Sequence, residues 1–153
     1  MIIEIERKFL LTNVPDTIAL GVGEPMRQGY IAQMNDVGVR IRITEHASVL
    51  TIKVGTGLTR TEVELPLSSD QSDALWPHAV HRLEKIRYRV HVDTNVAEVD
   101  VYLGTLEGLR TVEVEFASET AANAFVPPTW FGQDVTGDPR WTNAALARDG
   151  RPS

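Results

Sequence analysis

The stretch Met1-Ile2-Ile3-Glu4-Ile5-Glu6-Arg7-Lys8-Phe9 alternates charged and branched apolar residues. Read as a strand, it sends Glu4, Glu6 and Lys8 to one face and Ile3, Ile5 and Phe9 to the other, because successive β side chains point to opposite sides. The same alternation returns along the chain. Arg40 and Arg42 interleave with Val39, Ile41 and Ile43. Lys53 shares a parity with Thr51, against Leu50, Ile52 and Val54. Glu62 and Glu64, then Lys85, Arg87 and Arg89, then Glu98 and Asp100, then Glu113 and Glu115 repeat the pattern between apolar neighbours.

A single strand of this kind reads as an ordinary half-buried sheet with a solvated charged face. Two features of the set oppose that reading. The charges come as same-sign pairs, Glu-x-Glu or Arg-x-Arg, and the usual fillers of an exposed sheet face (Thr, Ser and Gln) are scarce between them. The alternative is an inverted barrel with a charged lumen and an apolar outer face. Buried unpaired charges cost several kcal/mol each. Such a lumen therefore has to be wet, cross-paired, or filled by a charged ligand and metal.

The pattern predicts eight strands, at Ile2–Leu11, Gln28–Met34, Val37–Thr44, Ser48–Val54, Arg60–Pro66, Ile86–Val92, Ala97–Tyr102 and Leu109–Phe116. Turn residues such as Asn35-Asp36, Gly55-Thr56-Gly57 and Gly104 separate them, and Gly21–Pro25 is read as a break. Ser68 or Ser69 is placed to cap a helix through Trp76, ended by Pro77. Ser118 is placed to cap another through Phe125, and a short helix is expected at Asn143–Ala147. The fold class is thus β-dominated (α+β): an eight-stranded antiparallel barrel forming a tunnel with a charged lumen, with a few short helices outside.

Residues 1–153 are expected to form one domain, long enough for a sizeable core. The chain has no cysteine, which excludes disulfides, a thiolate nucleophile and sulfur-ligated metals. Charge arrives by Glu4, so the start is not a secretory signal, and no apolar run approaches the ~20 residues of a membrane span. A cytoplasmic protein without membrane or nucleic-acid partners is the expectation, the net charge of −6 being unlike that of a nucleic-acid binder.

Arginine and lysine match phosphate oxygens, the first as a bidentate fork and the second as a point charge. Carboxylates repel a polyphosphate unless Mg²⁺ or Mn²⁺ stands between them. A lumen carrying both sets suits metal-assisted cleavage of a polyphosphate.

The opening Glu4-Ile5-Glu6-Arg7-Lys8 resembles the Glu-x-Glu-x-Lys signature of the CYTH domain, or triphosphate tunnel metalloenzyme, family. Gln28-Gly29-Tyr30-Ile31, Val39-Arg40-Ile41-Arg42, Leu50-Thr51-Ile52-Lys53, Glu62-Val63-Glu64, Leu83 through Tyr88, Glu98 through Val101 and Glu113-Val114-Glu115-Phe116 resemble its later blocks in order. The tail Val135-Thr136-Gly137-Asp138 with Asn143 resembles its ending. The resemblance implies hydrolysis of a triphosphate with Mg²⁺ or Mn²⁺, inorganic tripolyphosphate first among substrates. Carried over by motif, Glu4, Glu6 and Glu115 are metal ligands, and Glu62, Glu64, Asp100 and Glu113 support them or hold a second metal. Lys8, Arg40, Arg42, Lys53, Lys85 and Arg87 are phosphate contacts.

Two activators of the attacking water are open. One is the metal with a carboxylate such as Glu6. The other is a Lys85–Tyr30 pair, in which a nearby ammonium lowers the phenol pKa. Tyr30 reads better as packing or as a phosphate hydrogen bond. Other activities stay open: cleavage of thiamine triphosphate or another organic or nucleoside triphosphate, adenylate cyclisation, and polyphosphate binding without turnover. Tunnels of this type can pair through an outer strand, which leaves a homodimer open. His46, His78, His81 and His91 show no metal-ligand spacing; Trp76, Trp130 and Trp141 read as packing, and Gly55-x-Gly57 as a turn.

Overall fold

The computed structural model describes residues 2–153. Its strands are β1 (Ile3–Leu10), β2 (Glu24–Met34), β3 (Val37–Ile43), β4 (Ser48–Val54), β5 (Thr59–Leu67), β6 (His81–Val92), β7 (Asn95–Tyr102) and β8 (Arg110–Glu115). They close into an antiparallel barrel in the order β1-β5-β4-β3-β2-β6-β7-β8. The first strand therefore lies between β5 and the last strand, with Glu6 opposite Glu115 and Lys8 opposite Glu113. Closure gives every strand a partner on both sides. The short helices α1 (Ser69–Leu75), α2 (Glu119–Ala124) and α3 (Asn143–Asp149) are capped by Ser68, Ser118 and Thr142, whose hydroxyls accept from Gln71, Ala121 and Ala145 amides. Gln71 returns the bond to Ser68 in a capping box.

Eight strands and three helices occur where the sequence places them; β5 and β7 begin slightly earlier, and β2 and β6 begin several residues earlier still. β2 starts at Glu24 although Pro25 lacks an N–H. Pairing with β3 begins only at Arg27, so Pro25 meets β6 alone and has no neighbour on its other side. β6 starts at His81 because His81–Lys85 pair with Met26–Tyr30. The polar stretch before Ile86 hid that extension. Asn35 opens the β2–β3 turn at φ 52°, as read, and Asp93 does the same for β6–β7 at φ 52°.

Parity places the core. Phe9, Val99, Val112, Val114, Phe116 and Phe131 form one buried cluster on the outer face of β1, β7 and β8, beneath α2 and the segment after it. Arg7, on the same side, lies over the Phe9 and Phe125 rings and donates to the Ala122 and Phe125 carbonyls. It pins α2 to the barrel. On the tunnel side, one end turns apolar: Tyr30, Leu83 and Tyr102 pack with Val135, Trp141 and Leu146 of the tail. The outer covering is one-sided, since Val63 and Leu65 on β5 stay exposed.

Gly29 shows how tightly α1 and the turn after it sit on β2. A Cβ there would lie 2.6 Å from Ala79 Cβ and 2.7 Å from the Trp76 ring. Gly29→Ala should destabilise the protein by about 1–3 kcal/mol. Urea unfolding measures this, and an unchanged midpoint would mean that Trp76 moves aside freely.

Candidate active site

The barrel encloses a cavity of about 880 Å³. Glu4, Glu6, Lys8, Tyr30, Arg40, Arg42, Lys53, Glu62, Glu64, Arg87, Glu113 and Glu115 all line it. Of the residues selected from sequence, only Lys85 and Asp100 are absent from the lining. Both are fully buried in the wall behind it. Glu98 lines the cavity and Arg89 is half exposed at its rim, 3.4 Å from Glu98.

Acids and bases concentrate on different strands, with Lys8, Lys53 and Arg60 as cations among the acids. Acids gather on β1, β5 and β8. One carboxylate oxygen from each of Glu4, Glu6 and Glu115 lies within 4.8 Å of the others, close enough to share a cation. These hard oxygen donors suit Mg²⁺ or Mn²⁺. Glu4 Oε2 and Glu62 Oε2 are buried and, among the described residues, have no hydrogen-bond partner. Burial, then Glu62 and Glu6, push the Glu4 carboxyl up to about 9. Burial, then Glu98 and Glu6, raise Glu115 as well. At Glu62 burial also works upward, but hydrogen bonds from Glu4 and Glu64 and the charge of Lys53 outweigh it and hold this carboxyl low. One proton thus serves the Glu4–Glu62 pair where no cation does. Lys53 reaches both, at 3.2 Å and 3.3 Å.

Bases gather on β3 and β6. Arg42 donates from Nε to Gln28 Oε1 at 3.3 Å, and burial, followed by repulsion from Arg40 and Arg87, lowers its pKa to about 10. Arg40 Nε is buried without a hydrogen-bond partner among the described residues. This wall has more positive charge than local carboxylates satisfy, which is the electrostatic signature of an anion site.

Between the two walls, Asp100 is already engaged. It accepts from Lys85 Nζ at 2.7 Å and from Arg87 Nε and a terminal nitrogen at 2.7 and 2.8 Å. The structure brings Asp100 to these cations and not to the Glu4–Glu6–Glu115 cluster. Its geometry orients Arg87. Burial, then Arg87, lower Lys85 to about 7, against the pull of Asp100. Lys8 is tied down too. Its Nζ donates to the Trp141 carbonyl at 2.8 Å and lies 3.6 Å from Glu113.

Tyr30 Oη accepts from Gln28 Nε2 at 3.0 Å. Burial raises its pKa and outweighs Arg40 and Arg42. The lowering expected from a neighbouring ammonium is not seen, and the hydrogen bond of Lys85 goes to Asp100.

Sequence reasoning missed Arg60, which lines the cavity and donates to Glu6 Oε1 at 2.7 Å. Its signal was present: it stands two residues before Glu62, on the same parity, but the acidic pair drew the reading. Gln28, fully buried between Arg42 and Tyr30, was also missed as a polar contact because a lone Gln carries no pattern. The tail contributes as well. Gly137 lies against Gly57, Asn143 accepts from Tyr102 Oη at 2.5 Å, and residues 135–139 and 141–145 contribute to the lining at this end.

The CYTH domain family profile matches residues 2–126. The chain is 44% identical over 147 residues to an inorganic triphosphatase of Nitrosomonas europaea, with 94% of this chain and 96% of the relative covered. It is 35% identical over 150 residues to an inorganic triphosphatase of Acetivibrio thermocellus, with 95% and 94% covered. The crystal structure of the inorganic triphosphatase NE1496 superposes with a TM-score of 0.70 at 39% identity, covering 99% of both chains.

The raised Glu4 sets a pH dependence. Its folded value of about 9 stands above the ordinary 4.5, so its contribution to stability is full below 4.5 and is lost as pH rises towards 9. Lys85, lowered to about 7, works in the opposite sense above that value. Comparing two proteins at each pH cancels the Lys85 effect. In chelator, Glu4→Gln should gain melting temperature over the unsubstituted protein increasingly from pH 5 to pH 9. A constant difference would show that Glu4 does not hold the proton.

Proposed function

The chain belongs to the CYTH domain family, and from that premise we propose that it is a metal-dependent inorganic triphosphatase, cleaving tripolyphosphate to pyrophosphate and phosphate. The observation that carries this reading is the juxtaposition, in one cavity, of a carboxylate cluster spaced for a cation and a wall of under-neutralised guanidinium groups. A triphosphate carrying a divalent ion supplies what each wall lacks.

Glu4, Glu6 and Glu115 would hold Mg²⁺ or Mn²⁺, with Glu62 and Glu64 beside them. The bound ion would neutralise phosphate charge and acidify a water. The rest falls to the chain's own residues. Arg40, Arg42 and Arg87 bind and orient the phosphate oxygens, with Arg87 held in line by Asp100 and Arg42 by Gln28. Lys53 and Lys8 add charge along β4 and β1. Lys85, buried behind the wall, holds Asp100 and through it the orientation of Arg87. Tyr30, with a raised pKa, donates a hydrogen bond more readily than it accepts a proton. Glu113 holds Lys8 and Arg87 in register.

Inorganic tripolyphosphate is favoured over nucleotides by the lining. Its aromatic members, Tyr30 and Trp141, are buried in the apolar end, which leaves no exposed ring in the lining for a base to stack on. The whole chain acts in this reading as one tunnel domain. The cysteine-free composition supports the cytoplasm as its compartment. Among the described residues no helix is long and apolar enough to cross a membrane. The exposed apolar residues of β5 are where two copies would pair as a homodimer.

Phosphate release from tripolyphosphate, pyrophosphate, ATP and thiamine triphosphate, each with Mg²⁺, Mn²⁺ or chelator, tests the assignment. Tripolyphosphate with metal should be the best substrate, and no release from any triphosphate would refute it. Cyclic AMP as the main product from ATP would instead identify a cyclase. Glu6→Gln should keep the fold and lose at least roughly a hundredfold in kcat. Arg42→Ala should raise KM by about tenfold.

A further inference from the structure

Arg60 occupies an unusual position for a residue facing a phosphate site. It lies directly opposite Glu4 in the β1–β5 pair. One terminal nitrogen is 2.7 Å from Glu6 Oε1 and 3.9 Å from Glu4 Oε2. These are two of the three carboxylates spaced for a cation. The guanidinium is held at one end only, because Arg60 Nε is buried and has no hydrogen-bond partner among the described residues.

Arg87 provides the contrast. It donates two hydrogen bonds to Asp100, which Lys85 also holds. Arg87 has no reason to move when a ligand arrives. Arg60 does. A divalent ion on Glu4 and Glu6 takes over the charge neutralisation that Arg60 provides, and two cations on the same oxygens repel each other. The displaced fork still lies in the tunnel wall, and an anion there can receive its unpaired donor.

We propose that Arg60 is an exchangeable counter-ion: it neutralises Glu4 and Glu6 while the metal is away, yields them to the divalent ion, and then donates to the triphosphate. The inference rests on the assignment of Glu4, Glu6 and Glu115 as the metal site. It makes the metal and Arg60 competitors when no substrate is present, and partners when it is. Metal alone then binds weakly, and metal together with triphosphate binds well, because the triphosphate receives the guanidinium that the metal displaces.

The test is calorimetric titration of the chelator-treated full chain with Mn²⁺ alone, alongside steady-state kinetics with tripolyphosphate. Arg60→Gln should tighten Mn²⁺ binding about tenfold and raise KM about tenfold, a pairing of opposite signs that a merely structural ion pair does not produce. Arg60→Lys keeps the charge but loses the fork. It should change Mn²⁺ affinity less and in the same direction, and it serves where the Gln variant folds poorly. Unchanged or weakened Mn²⁺ binding in both Arg60 variants overturns the proposal, provided Glu6→Gln loses Mn²⁺ binding. If Glu6→Gln binds Mn²⁺ as tightly as the unsubstituted protein, the metal-site assignment itself has failed and the proposal falls with it.

Discussion

Charges that point into a closed barrel have to be neutralised there, and nearly everything about this protein follows from how that is arranged. Asp100 neutralises Lys85 and Arg87 at the centre of the wall. Glu113 does the same between Lys8 and Arg87, and Lys53 between Glu4 and Glu62. The pairing is deliberately incomplete at two places. Glu4 and Glu62 each keep a buried oxygen that only the Lys53 ammonium approaches closely, and Arg40 keeps a buried N–H without an acceptor among the described residues, as does Arg60 on the acidic side. Dry interiors do not retain such groups unless something else satisfies them. The carboxylate and guanidinium deficits lie in the same cavity, and a cation carried by an anion is one partner that would satisfy both.

This arrangement explains why the fold was so readable. In most proteins a strand's apolar parity faces the core and its charged parity faces water. Here the charged parity faces inward, yet the period-two signal is unchanged, so Glu4-x-Glu6-x-Lys8 and Arg40-x-Arg42 marked their strands as clearly as an apolar alternation would. What parity cannot convey is which inward charge meets which. Asp100 and Glu113 carry the same motif character as Glu4 and Glu6, but the register of the β6–β7 hairpin places Asp100 beside Lys85 and Arg87. Arg60 was overlooked for the same reason: its partner, Glu6, belongs to a strand far away in the sequence. Strand starts were misread where local chemistry contradicts tertiary pairing, as at Pro25 and at His81-Arg82.

The tail does more than end the chain. Val135, Trp141 and Leu146 fill the tunnel end that Tyr30, Leu83 and Tyr102 leave apolar. Trp141 also presents its carbonyl to Lys8, so the backbone of the tail supplies part of the neutralisation that side chains supply elsewhere. The tail is therefore both a stopper and a hydrogen-bond partner of Lys8. Its position depends on small devices: the Thr142 cap, the Tyr102–Asn143 hydrogen bond and the close approach of Gly137 to Gly57.

Glu6 stands opposite Glu115 where the first strand meets the last. The carboxylate cluster therefore straddles the seam at which the barrel closes, and its ligands come from opposite ends of the barrel sequence. During synthesis β1 emerges first, yet it has no β8 to pair with until the rest of the barrel has been made. Long-range closure of this kind is the slow, entropically expensive part of folding. A divalent ion held by Glu4, Glu6 and Glu115 would stitch that seam. In a chain without cysteine it would do the work that a disulfide between distant strands does in other proteins, as a fastener of the barrel as well as a participant in its chemistry.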